Sequence, residues 1–250
     1  MNTYDFPVEL APIKTNGILI PNKMSVIRTD TKQPIGVVSN KYALVRHEEV
    51  VKGFRKALGK LDYEEKISTI KNGSRLFVTY KIPSIKVEVQ KGDFVALQFV
   101  AKNSYDGSRS FSMVLGAFRL VCSNGMVIGK ELFSFSQKHV SKGVVFDENL
   151  LSERIEQIMG SFKNALPLMQ KMVETPMSKD ASKIFDAETL EFPKYLVEEA
   201  KQEYGRAQMY NRWGFYNALT FAATHRIKKD NLQSRMFFTQ KAWSLATSSK

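Results

Sequence analysis

The 250-residue chain is 43% hydrophobic and 25% charged, an ordinary globular balance that excludes global disorder. Its longest apolar run, Met113 to Cys122, is broken by Gly116 and Arg119 and is far too short for a membrane span. The 37 Lys+Arg against 25 Asp+Glu leave a net charge of +12, which favours polyanionic partners, nucleic acid first and an acidic membrane face second.

The N-terminal MNTYDFPVEL has neither a basic nor an apolar leader segment, so no secretory signal is expected. Segments 24–29 and 35–39 flank the turn-rich TDTKQP and read as a β-hairpin. Helical spacing of Val50, Phe54, Ala57, Leu58 and Leu61 then predicts a helix over 47–60. Three strands follow, over 75–82, 94–102 and 109–122, with Gly116 as a bend or bulge in the third. Asp106-Gly107 between the last two is a strong hairpin signal. A further strand is expected over 126–135 after the turn Ser123-Asn124-Gly125.

The period changes to 3.6 near residue 148. Leu151, Ile155, Ile158, Phe162, Ala165, Met169 and Met172 form one apolar stripe, along a helix that Pro167 should kink. Pro176 ends it, Pro193 opens a helix over 194–205, and two more are expected over 211–227 and 235–246. The expected class is therefore α+β: a twisted antiparallel sheet with an N-terminal helix and a C-terminal helical half. Residues 1–147 would form the β-rich core and 148–250 the helical region packing on it as one integrated domain.

Enzyme chemistry finds little support. His47, His139 and His225 lie far apart in sequence without neighbouring ligands, so no metal site or cofactor is expected. Glu48 and Glu49 behind His47 suit the start of a helix. Gly125 to Glu131 is one residue short of a phosphate loop and ends in an acid where a hydroxyl belongs, which argues against ATP-driven chemistry. Asp62 and Glu64 followed by Lys66 loosely resemble a metal-dependent nuclease signature, a third-ranked reading because such triplets arise by chance. No G-x-S-x-G elbow is present. Cys122, the only cysteine, excludes an internal disulfide, fits a reducing cytoplasm, and sits in a run where a buried structural thiol is favoured. No catalytic residue is assigned.

What remains is a basic stretch interleaved with aromatics. Between Lys71 and Arg119, eight Lys/Arg face three acids, about twice the net charge density of the whole chain. Alternation would place Arg75, Phe77, Thr79 and Lys81 on an exposed strand face. Arg75, Lys81, Lys102, Arg109 and Arg119 are candidate phosphate contacts, and Phe77, Tyr105 and Phe111 candidate stacking rings for single-stranded nucleic acid. Trp213 could also stack a base, though a core role is favoured.

Three stretches carry a family resemblance: VIRTDTKQPIGVVSNKYALVRHEEV (26–50), NSYDGSRSFSMVLGAFRLVCSNGMV (103–127) and NRWGFYNALTFAATHRI (211–227), followed by KAWSLA (241–246). In order and spacing they resemble the phage/plasmid-like family that carries domain of unknown function number 932. The family is uncharacterised and implies no reaction. It does imply a mobile-element setting in phages, prophages or plasmids, inside the cytoplasm of a bacterial host. The order of helix, antiparallel strands and long helix also resembles the core of single-strand annealing proteins, which assemble into rings or filaments and hold DNA in a basic groove. Together these give the leading expectation, an ATP-independent, oligomeric protein that binds or anneals single-stranded DNA in recombination, with no membrane partner. The alternative is a protein-interaction module, such as an inhibitor of a host defence system, with a host protein as partner. In the motif at 211–227, Trp213, Tyr216, Leu219 and Ala223 should pack inward, Asn211 should cap the helix, and Asn217 and Thr220 could bond to a neighbouring sheet.

Overall fold

The computed structural model describes residues 4–120, 125–126, 134–137, 139, 148–188, 191–228 and 231–248. Cys122 and most of the strand expected over 126–135 lie outside them. The class is α+β, with two antiparallel sheets and with the helices concentrated in the C-terminal half.

A three-stranded sheet is formed by β1 (Val8–Thr15), β2 (Ile18–Arg28) and β3 (Pro34–Ser39) in that order. The expected hairpin is its β2–β3 pair, with Met24 opposite Val38 and Ser25 opposite Val37. The first strand and the start of the second were not read from the sequence. Their turn is Asn16-Gly17, both at positive φ (49° and 80°), the signature of a two-residue hairpin loop.

Helix α1 (His47–Leu58) carries Glu48 and Glu49 in its first turn, and the Arg46 backbone N–H donates to the Glu49 carboxylate at 3.2 Å. Gly59 ends the helix at φ 55°. The larger sheet has the order β4 (Glu64–Ile70), β5 (Arg75–Gln90), β6 (Asp93–Ser104), β7 (Phe111–Arg119), β8 (Gly125–Met126), with β9 (Ser134–Gln137) also on β7. Strands β6 and β7 are neighbours joined through the Asp106-Gly107 turn, as expected. β7 runs unbroken through Gly116 and changes partner there: residues 111–114 pair with β9, and 117–118 with β8.

The apolar stripe holds over its whole length. All seven residues from Leu151 to Met172 are buried. The helix divides into α2 (Glu148–Asn164) and α3 (Leu166–Glu174), with the break at Ala165 and Pro167 in the first turn of α3, where its missing N–H costs nothing. A short α4 (Ala181–Glu188) was not read from the sequence. α5 (Lys194–Ala207), α6 (Arg212–Arg226) and α7 (Leu232–Thr247) follow the expected order.

The chain divides into two compact units. The first comprises Met1–Tyr80, Val100–Val114 and Ser134–Gln157; the second comprises Lys81–Phe99, Leu115–Phe133 and Ile158–Lys250. In the first unit, Phe6, Val8, Val26, Val38, Tyr42 and Tyr105 form a buried cluster. In the second, Trp213, Tyr216, Leu219 and Ala223 all face inward, and Tyr216 meets Trp243 edge-on at 5.5 Å.

Gly36 of β3 shows how closely the hairpin after β6 approaches the smaller sheet. A Cβ placed there would lie 2.3 Å from the Tyr105 carbonyl oxygen, a backbone atom that cannot swing aside. Gly36→Ala should cost about 1–3 kcal/mol in urea unfolding; an unchanged midpoint would refute that packing.

Candidate phosphate-binding cleft

The 104–110 hairpin is built from its own polar side chains. Ser104 Oγ accepts the Arg109 backbone N–H at 3.1 Å and donates to the Arg109 carbonyl at 2.9 Å. Gly107 takes φ 67°, and Asp106 Oδ1 accepts from both the backbone N–H (3.0 Å) and the hydroxyl of Ser108. Arg75 Nε donates to the other oxygen, Asp106 Oδ2, at 2.8 Å. Burial pushes the Asp106 carboxyl up, but the Ser108 bonds and Arg75 outweigh it, holding the group below the usual carboxylate range.

Three separate segments anchor this hairpin. The Tyr105 N–H donates to the Ser74 carbonyl at 2.7 Å, and the Tyr42 hydroxyl donates to the Ser104 carbonyl at 2.5 Å. The Tyr105 ring stacks on His47 with centroids 3.8 Å apart, and its hydroxyl oxygen accepts the His47 backbone N–H at 2.7 Å. His47 is wholly buried. Its Nε2 lies 3.0 Å from the Gly73 carbonyl, which can only accept, so Nε2 carries the proton. Nδ1 therefore accepts from Asn103 Nδ2 at 3.0 Å, and the second Asn103 amide hydrogen goes to the Val45 carbonyl at 2.9 Å. Burial pushes the His47 imidazole down to about 3, so the ring is neutral at physiological pH.

Beside the hairpin, β3 and Tyr42 complete a cleft of about 410 Å³. Lys23 and Arg109 supply its cations, and among the described residues neither makes an ion pair. Ser39 and Ser110 contribute hydroxyls. Asp106 also lines the cleft, but its charge is already met by Arg75. His139, stacked on Tyr42 at 5.0 Å, donates from Nδ1 to the Ala43 carbonyl at 3.2 Å, and burial lowers its pKa as well. Two cations without an ion pair among the described residues, lining one volume with two serines, are a chemistry suited to a phosphate group.

The candidate site residues divide as follows. Arg75 and Arg109 come together at the hairpin, Arg75 holding the turn and Arg109 lining the cleft. Lys102 is half-buried on β6. Lys81 Nζ stands 4.9 Å above the Phe118 ring. Arg119 is engaged by Asp93 through two bonds of 2.6 and 2.8 Å, and the Trp213 indole N–H donates to the same carboxylate at 2.9 Å. The three stacking rings require correction. Phe77, Tyr105 and Phe111 are all buried, at 3%, 0% and 4% exposure. Leu76, Phe77 and Val78 are consecutive and all buried, so β5 is covered on both faces there and alternation no longer marks a wet side. Phe111 instead packs beside Phe54 at 6.2 Å. Glu65, next to the loosely nuclease-like Asp62 and Glu64, is bound by Arg55 in an ion pair. Among the described residues no group of three or more His, Cys, Asp or Glu could hold a metal.

Residues 34–248 match the family described as Domain of unknown function (DUF932). The chain belongs to this DUF932 family. No solved structure matches it significantly. Within the DUF932 region, the first two motifs build the cleft and its supporting network: β3, Tyr42 and His47 from one, Asn103 to Ser110 from the other. Lys23 lies just outside the matched region. The third motif lies in the second unit. Asn211 caps α6 by accepting the Gly214 N–H at 2.8 Å, as expected. Gly214 is required because a Cβ there would meet the Met209 carbonyl at 1.9 Å. Asn217 and Thr220 bond to their own helix, at the carbonyls of Trp213 and Asn217, and not to a sheet. No described helix is long and apolar enough to cross a membrane.

The buried neutral histidine has a measurable consequence. Below the ordinary histidine pKa of about 6.5 the unfolded chain takes up a proton that folded His47 refuses until about pH 3. Stability should therefore fall as pH drops through that window, by about 1.4 kcal/mol per pH unit for one such group. His47→Asn should be less stable at pH 7 yet show a slope shallower by one proton between pH 6 and 4. Equal slopes for both proteins in urea titrations would show that His47 titrates in the folded state.

Proposed function

We propose that this DUF932 protein binds single-stranded DNA through its phosphates at the cleft of the first unit, without ATP. The proposal extends to pairing or annealing of strands by an oligomeric form, in a phage, prophage or plasmid setting within a bacterial cytoplasm. The observation that carries the reading is that Lys23 and Arg109 line one cleft in which, among the described residues, the one carboxylate, Asp106, is neutralised from behind by Arg75. The net charge of +12 supports it, since a polyanion gains from every cation nearby. Arg75 acts as a positioning residue, because its guanidinium is spent on Asp106. Phe77, Tyr105 and Phe111 serve the core and have no part in stacking.

The test is binding of a labelled oligonucleotide over a range of salt. Affinity for single strands should fall with log salt at about −0.7 per phosphate neutralised. Lys23→Ala with Arg109→Ala should weaken binding across all sequences and flatten the slope by about 1.4 if each cation meets one phosphate. A double variant with unchanged affinity and slope would remove the cleft from the reading. A wild-type protein with no preference for single strands over heparin would remove DNA.

A further inference from the structure

With the three expected rings buried, a different part of the molecule joins exposed aromatics to positive charge. Among the described residues the rings left largely in water are Tyr195 on α5, 49% exposed, and Phe237 on α7, 57% exposed. Phe237 is held by an aromatic chain beneath it. Its ring meets Phe238 edge-on at 5.1 Å, and Phe238 in turn lies 5.3 Å from Phe192, which is buried. Lys241, one turn along α7, sits 5.8 Å from the Phe237 ring and 5.9 Å from Phe192, and is tethered by Glu191. Phe237 therefore has ring contacts on one side while the residue stays largely exposed.

The surrounding sequence is the most basic part of the chain considered so far. From Arg226 to Lys250 there are six Lys/Arg and one acid, a net +5 in 25 residues, whereas the stretch 71–119 carries the same surplus over 49. α7 itself contains Arg235 and Lys241 and no acid. An exposed ring in such a segment has two natural partners, a second copy of the chain or a base of a polyanion. A symmetric dimer across this face would repeat the cations of α7, which has no acid of its own, on both sides, whereas a nucleic-acid strand brings phosphates to them.

We infer that Phe237 is a stacking platform for a base of single-stranded nucleic acid, with Lys228, Arg235 and Lys241 meeting the neighbouring phosphates. The inference rests on the single-strand reading and adds a contact in the second unit that does not involve the cleft. Stacking on an exposed ring is tolerant of base identity, so the contact would add affinity without sequence preference.

The experiment uses the full chain and an oligo(dT) probe. Phe237→Ser, at an exposed position, should lower affinity about 10-fold or more and leave the salt slope unchanged, because stacking releases few counterions. Phe237→Tyr should restore wild-type affinity. In Phe237→Trp the new indole should be quenched on adding oligo(dT), against a background from Trp213 and Trp243, both of which are buried. Wild-type affinity in Phe237→Ser together with no quenching in Phe237→Trp overturns the platform while leaving DNA binding intact. Conversion of a dimer to a monomer by Phe237→Ser, with affinity unchanged, overturns it in favour of a contact between copies. Absence of any DNA binding by the wild type overturns both readings, and is told apart from the other outcomes by the first titration.

Discussion

The hydrogen bond between the buried His47 ring and the Gly73 carbonyl is the constraint on which the cleft depends. A carbonyl accepts and cannot donate, so the bond fixes one tautomer and leaves Nδ1 to receive Asn103. That places Asn103 at the end of β6 and lays the next residues, Ser104 and Tyr105, against Tyr42 and Ser74. The hairpin that follows then has little freedom, and Arg109 emerges beside β3. The bonds His47 makes to Gly73 and Asn103, and Asn103 to Val45, hold one another in place, which is the situation in which buried networks strengthen one another. The network also gives the buried histidine a structural role. Its work is to be neutral and directional.

The second unit uses a charged version of the same device. Asp93 receives two bonds from Arg119 and one from the Trp213 indole, and all three groups are almost out of water. Such a pair is weak evidence of net stability, since desolvation offsets much of the attraction. Its removal is another matter: losing either partner leaves a buried charge alone, at about 3–5 kcal/mol. The arrangement therefore fixes where α6 joins its unit, through the tryptophan that opens the helix. The motifs that carry the family resemblance are thus mainly architectural, and Arg109 is the motif cation they deliver to a cleft.

Sequence reading succeeded where local chemistry decides the outcome. Asp106-Gly107 made its hairpin, Asn211 made its cap, and seven apolar residues at helical spacing all found the core. It fell short where an outcome depends on distant chain. β1 and β4 have irregular apolar patterns that gain a partner only once the sheets assemble, although Asn16-Gly17 was a usable turn signal. Phe77 looked half-exposed because alternation assumes one wet face, and β5 has none at that point. Arg109 was legible as a cation beside a turn. Lys23 and Ser39 were not, since only the smaller sheet brings them to it. Phe237 was hidden by treating the C-terminal helices as core, although a charge count over 226–250 would have singled out its segment.

The cleft of the first unit is the proposed place where phosphates bind. Hydrogen exchange of backbone amides, with and without a saturating single-stranded oligonucleotide, addresses it most directly, because it reports where contact forms without altering the protein. Protection should appear in peptides covering 104–110 and 36–42, under both low and moderate salt if occupancy is kept high. Exchange in those two segments that is the same with and without bound DNA would contradict the account, whatever the affinity measured.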